Sequence, residues 1–196
     1  NKLTSIALAI ACCGIASPAL AATTVVNCGK LLDVKNGVWR DKVSITIENN
    51  SIVSISAMKA DPSHIDLSGY ACLPGLIDMH VHLSHDPKPQ VEQLRDRLTA
   101  DTADYAYASI KLAERTLMSG FTTVRDLGAG GGLNISMKRA IESGSIIGPR
   151  LFTAGKSIAT TGGHADPSNG LSQAMRTAVG KPGPEQGVIN GIESAR

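Results

Sequence analysis

Residues 76–83, LIDMHVHL, constrain this chain more than any other stretch. The run is short, apolar at every second position, and rich enough in Ile and Val to read as a strand. Alternate side chains of a strand point the same way. Ile77, Met79, Val81 and Leu83 are therefore expected on one face, and Asp78, His80 and His82 on the other. A polar face on a strand sheathed by helices needs a partner, because burying polar groups costs free energy unless they are satisfied. Two imidazoles separated by one residue can converge on a single metal ion, and neutral imidazole nitrogen is a good ligand for zinc and similar ions. A bare His-x-His is short, and two histidines hydrogen-bonded at a strand end would look the same. The preceding Pro74-Gly75 turn and the alternation favour the metal.

The segments on either side differ in texture. Before Pro74, Val25–Cys28, Val43–Ile47 and Ile52–Ile55 are short β-branched strands, with turns at Asn36-Gly37 and Asn49-Asn50, and Ile65–Leu67 reads as a further short strand. After Pro74, strands alternate with helices. Leu76–Leu83 is followed by a helix over Ala103–Ser119 with Gly120 as its stop, then the strand of FTTVRDLG. A second helix in NISMKRAIESG is expected to start on Asn134 as N-cap and stop at Gly144, before a third strand over Pro149–Ala154. This order is the signature of a parallel sheet with covering helices. Residues 160–187, rich in Gly and Pro, read as one long loop of the kind that carries function.

The first 21 residues are set apart as a secretory signal. Lys2 is followed by an apolar run from Ile6 to Ile15 and by Ala19-Leu20-Ala21, an A-x-A cleavage pattern. The run is shorter than the roughly 20 apolar residues a membrane span needs, so the mature chain is expected to be periplasmic or secreted, without stable membrane insertion. Cleavage before Cys12, as in a lipoprotein, is disfavoured by Ala9, where such signals usually carry Leu. Cys28 and Cys72 then remain. In an oxidising compartment they could pair, but the favoured expectation is two small buried thiols.

Several classes are set aside. A net charge of +2 with no basic stripe argues against nucleic acid as a partner. LGAGGGLN fails the dinucleotide fingerprint, because Leu133 stands where its last Gly or Ala belongs. There is neither a G-x-S-x-G elbow nor a C-x-x-C motif.

LPGLIDMHVHL closely resembles the first-barrel-strand signature of the amidohydrolase superfamily. GFTTVRDLG resembles its second strand, and GPRLFTAGKSIATTGGHADP resembles the third strand and following loop of the imidazolonepropionase-like branch, which includes Xaa-Pro dipeptidases. The resemblance implies an α/β fold, the N-terminal part of a metal-dependent (β/α)8 barrel with a small flanking β-sandwich domain. Residues 22–72 would be the sandwich portion and residues 73–196 the truncated first part of the barrel. It implies one or two divalent ions, usually zinc, with His80 and His82 as first-strand ligands. The other family ligands, a carbamylated lysine, two later histidines and an aspartate, find no matching position: Lys156 follows the third strand and Lys181 lies in a loop. The general base is likewise expected beyond Arg196.

The implied activity is metal-dependent hydrolysis of a C–N bond in dipeptides or short peptides, Xaa-Pro dipeptidase-like, with these 196 residues alone inactive. Hydrolysis of a cyclic amide, lactone or organophosphate ester is the alternative within the branch, and an exported noncatalytic binding protein on the same barrel is the alternative outside it. A homo-oligomer is left open. His164 is a candidate substrate contact, Asp78 a carboxylate that orients a ligand or braces the strand end, and His64 and His85 surface loop residues. Asp126 ends the second strand with no chemistry assigned.

Overall fold

The computed structural model describes residues 23–196. The expected signal, residues 1–21, lies outside them. The chain divides between Pro74 and Gly75 into two compact units.

The first unit is one mixed sheet of β1 (Thr23–Asp33), β2 (Val38–Glu48), β3 (Ser51–Ala57) and β4 (Ile65–Cys72), in the order β3-β2-β1-β4. β1 pairs antiparallel with β2 and parallel with β4. Asn49 and Asn50, both at positive φ, make the two-residue turn between Glu48 and its partner Ser51. Asn tolerates that left-handed backbone, which is why a two-residue hairpin loop selects it. Cys28, Leu31, Val43 and Ile45 form the buried cluster of this sheet. Among its described residues this unit has no second sheet.

Cys28 and Cys72 are joined in a disulfide across β1 and β4, with Cα atoms 5.9 Å apart. The expectation of two separate buried thiols is thereby corrected. The parallel pairing of β4 with β1 brings Leu31 opposite Cys72, a neighbourhood that the sequence separation of 44 residues conceals.

The second unit is α/β. β5 (Leu76–Val81), β6 (Phe121–Asp126) and β7 (Arg150–Thr153) form a parallel sheet in chain order. Between them run α1 (Gln90–Thr99), α2 (Thr102–Met118) and α3 (Leu133–Glu142). Ala113 of α2 and Met137 of α3 share a core with Leu83, Val124 and Leu151, so both helices cover the same face of the sheet. The other face carries Ile77 and Phe152, 64% and 50% exposed.

Two helical expectations change. α3 begins at Leu133 after an N-cap at Gly132. Asn134 is therefore inside the first turn and fully buried, not an N-cap: its amide donates to the Asp126 carboxylate and the Gly155 carbonyl, both at 2.9 Å. The long loop also contains a helix, α4 (Gln173–Val179), with the Ser172 hydroxyl accepting from Met175 N–H. Ser172 before it and Gly180 after it are ordinary start and stop residues, masked by the Gly- and Pro-rich composition around them. Among the described residues no helix is long and apolar enough to cross a membrane.

Candidate metal centre

The face assignment of β5 is corrected by a bulge. Asp78 pairs with Val124 and Val81 with Asp126, so Met79 and His80 together stand opposite Arg125. One extra residue reverses the alternation beyond it. Asp78 consequently sits with Val81 and Leu83 on the helix-covered face, where they line a cleft of about 300 Å³ with Arg115, Thr116 and Ser119. Its carboxylate accepts from the His80 backbone N–H at 2.9 Å, tying the bulge together. The contact is to the main chain of His80 and not to its imidazole.

His80 and His82 do come together. β5 ends at Val81, and both side chains are exposed at its C-terminal end, with ring centroids 5.5 Å apart and planes at 72°. His82 Nδ1 lies 3.1 Å from the Gly128 carbonyl oxygen. A carbonyl oxygen only accepts, so Nδ1 carries a proton, and in the neutral ring Nε2 is the nitrogen with the free lone pair. A histidine whose second nitrogen donates to a main-chain carbonyl is the usual arrangement of a metal ligand. The donor set, two imidazoles on one rim, suits a borderline ion such as zinc. Among the described residues no three His, Cys, Asp or Glu side chains converge on one point.

Asp126 is the residue whose importance the sequence concealed. It is fully buried. One carboxylate oxygen accepts from Leu83 N–H, the other from Gly128 N–H and the Asn134 amide, each at 2.9 Å. Its backbone carbonyl accepts from Ala154 N–H, and Leu127 N–H donates to Val81, so the ends of β5, β6 and β7 meet around it. The legible signal was an aspartate closing a strand two residues before a glycine, in a position to bind the main chain of the turn that follows. Gly128 is required there by close approach: a Cβ would run into the Ser157 backbone nitrogen at 2.9 Å.

His164 is exposed in a turn organised by Asp166. That carboxylate is buried and accepts from Gly162 N–H at 2.7 Å and from Ser168 N–H and hydroxyl at 2.8 Å. The Gly162 and Ser168 N–H groups, then the Ser168 hydroxyl, hold it below the usual carboxylate range. Among the described residues no hydrogen bond or ring contact joins His164 to His80 or His82. His85 pairs with the Ser84 hydroxyl at 2.8 Å and lies 5.8 Å from the Tyr105 ring. Partial burial lowers its pKa, and the neighbouring charges of His82 and Arg97 act the same way. His64 is half-buried in the turn before β4. Lys156 donates to the Glu185 carbonyl, and Lys181 lines a separate cleft with Arg176 and Thr177, so neither joins the histidines.

With this geometry in place, the relatives are informative. Residues 71–192, more than half of the chain, match the amidohydrolase family, and the chain belongs to that family. In structure it is similar to a Xaa-Pro dipeptidase solved with methionine in its active site, at 39% identity and a TM-score of 0.75, covering 87% of this chain and 41% of that one. A prolidase solved with N-methylphosphonate-L-proline is similar at 29% identity and a TM-score of 0.67, over 89% of this chain and 42% of its own. In sequence, ochratoxinase of Aspergillus niger is 32% identical over 97 residues, 48% of this chain and 19% of the enzyme. The chain thus spans less than half the length of the proteins it matches.

Proposed function

We propose that this chain is the first part of a metal-dependent (β/α)8-barrel hydrolase that cleaves an amide bond in dipeptides or short peptides, with His80 and His82 as two of its metal ligands. The observation that carries the reading is the exposed imidazole pair at the C-terminal end of the first of three parallel strands, the end at which such barrels place their chemistry. The similarity to a Xaa-Pro dipeptidase and a prolidase supports the substrate class. In the family the remaining ligands and the general base come from later strands, which fits a chain spanning 41% of a solved relative.

His80 and His82 would hold a divalent ion, which would supply a Lewis acid and lower the pKa of water toward neutrality. This chain's own residues do the rest. His80 and His82 offer ring nitrogens, Gly128 fixes the tautomer of His82, and Asp78 pins the bulge that turns His80 away from the helices. His164, on the turn that follows β7, would contact substrate.

Export accompanies this reading. The A-x-A pattern at Ala19–Ala21 and the Cys28–Cys72 disulfide both fit an oxidising compartment outside the cytoplasm. The test is hydrolysis of a dipeptide panel, with and without C-terminal proline, by the full-length zinc-loaded protein before and after chelation. Turnover that chelation abolishes and zinc restores is expected. Chelator-resistant turnover, or none across the panel, would overturn the reading.

A further inference from the structure

We propose that Asp126 is the positioning residue of the metal centre: it sets the ring of His82 from both sides through the main chain. The inference rests on His82 being a ligand, as above, but its structural part stands on contacts within the described residues.

The carboxylate works with both oxygens. One holds Leu83 N–H at 2.9 Å, the peptide group immediately after His82. The other holds Gly128 N–H at 2.9 Å, and the carbonyl of that same Gly128 faces His82 Nδ1 at 3.1 Å. One side chain therefore fixes where the His82 backbone ends and where its ring must point. Full burial removes water as a competing donor and makes each bond expensive to lose. Asn134, on α3, adds a third donor to the carboxylate. Its amide nitrogen faces two acceptors, Asp126 and the Gly155 carbonyl, which fixes the amide's orientation and leaves its own Oδ1 buried without a partner among the described residues.

Asp126→Asn replaces one acceptor oxygen by an NH2 group that must face Leu83 N–H or Gly128 N–H. Either choice sets donor against donor and releases one of the two constraints on His82. Asn134→Ala removes a contact to the same carboxylate but keeps both main-chain bonds, so it serves as the control for mere destabilisation.

The experiment is long-range 15N–1H correlation of the histidine rings in the full-length, metal-stripped protein, combined with zinc affinity by chelator competition. Wild-type His82 should be the Nδ1–H tautomer. Asp126→Asn should give a mixture of tautomers and bind zinc at least about tenfold more weakly. Asn134→Ala should melt lower yet keep the tautomer and hold zinc within about twofold. If Asp126→Asn does not fold, Asp126→Glu takes its place, since the longer side chain keeps two acceptor oxygens but cannot hold Leu83 N–H and Gly128 N–H in the same positions, and the same mixture is expected. An Nε2–H tautomer in the wild type, an unchanged ring in Asp126→Asn or in its replacement, or an equal loss in Asn134→Ala would overturn the proposal. Zinc binding indifferent to His82→Ala, with the tautomer as stated, would instead remove the metal reading and leave the positioning contact standing.

Discussion

Cys28, at the centre of β1, is covalently joined to Cys72, the last residue of β4. The bond closes a loop that contains β2 and β3, so it restrains most of the first unit. Closing a loop of this length removes conformational freedom from the unfolded chain and typically stabilises by about 2–4 kcal/mol. Cys72→Ser is expected to lower the opening free energy of β1 and β4 by that amount, read by amide hydrogen exchange. Protection equal to the wild type would show that the sheet does not depend on the bond.

The open face of β5–β7 yields a second expectation. Leu151 is buried between sheet and helices, whereas Phe152, its neighbour on β7, is half exposed. Leu151→Ala should cost about 2–5 kcal/mol. If later strands close the sheet into a barrel, Phe152→Ala in the full-length protein should cost a comparable amount, measured by chemical denaturation. A change within about 0.5 kcal/mol, the range of an ordinary surface substitution, would mean that this face stays open.

The Asp166 turn gives a pH dependence. The folded carboxyl lies below its ordinary value of 3.8 because Gly162, Ser168 and the Ser168 hydroxyl donate to the ionised form. The unfolded segment therefore takes up its proton first as the pH falls. The stabilisation is fully present above about pH 4 and is lost as the pH drops through the folded value. Proteolysis of the 160–170 turn should accelerate over that interval in the wild type and be fast and pH-independent there in Asp166→Ala. A wild-type rate flat across the interval would contradict this.

The β unit, its Asn turns, the three parallel strands and helices α2 and α3 were legible because each rests on local rules: β-branched runs, turn residues and helical period; α1, as long as α3, was not read. What escaped depends on partners distant in sequence. The bulge in β5 is set by how Asp78 and Val81 register against Val124 and Asp126, and no alternation rule applied to β5 alone shows it. Asn134 looked like a cap because its composition suits one, yet its partners are Asp126 and Gly155. The disulfide needed the parallel pairing of β4 with β1. His80, in the bulge, and His82, beyond it, still come together, whereas Asp78, before it, lies on the other face.

Metal binding by His80 and His82 is open to direct measurement. Zinc content by elemental mass spectrometry should be measured on the full-length protein and on His80→Ala and His82→Ala, with circular dichroism to show that each is folded. The account predicts that each folded variant loses bound zinc and, with it, dipeptide hydrolysis. A folded variant that retains full zinc and normal turnover would contradict it.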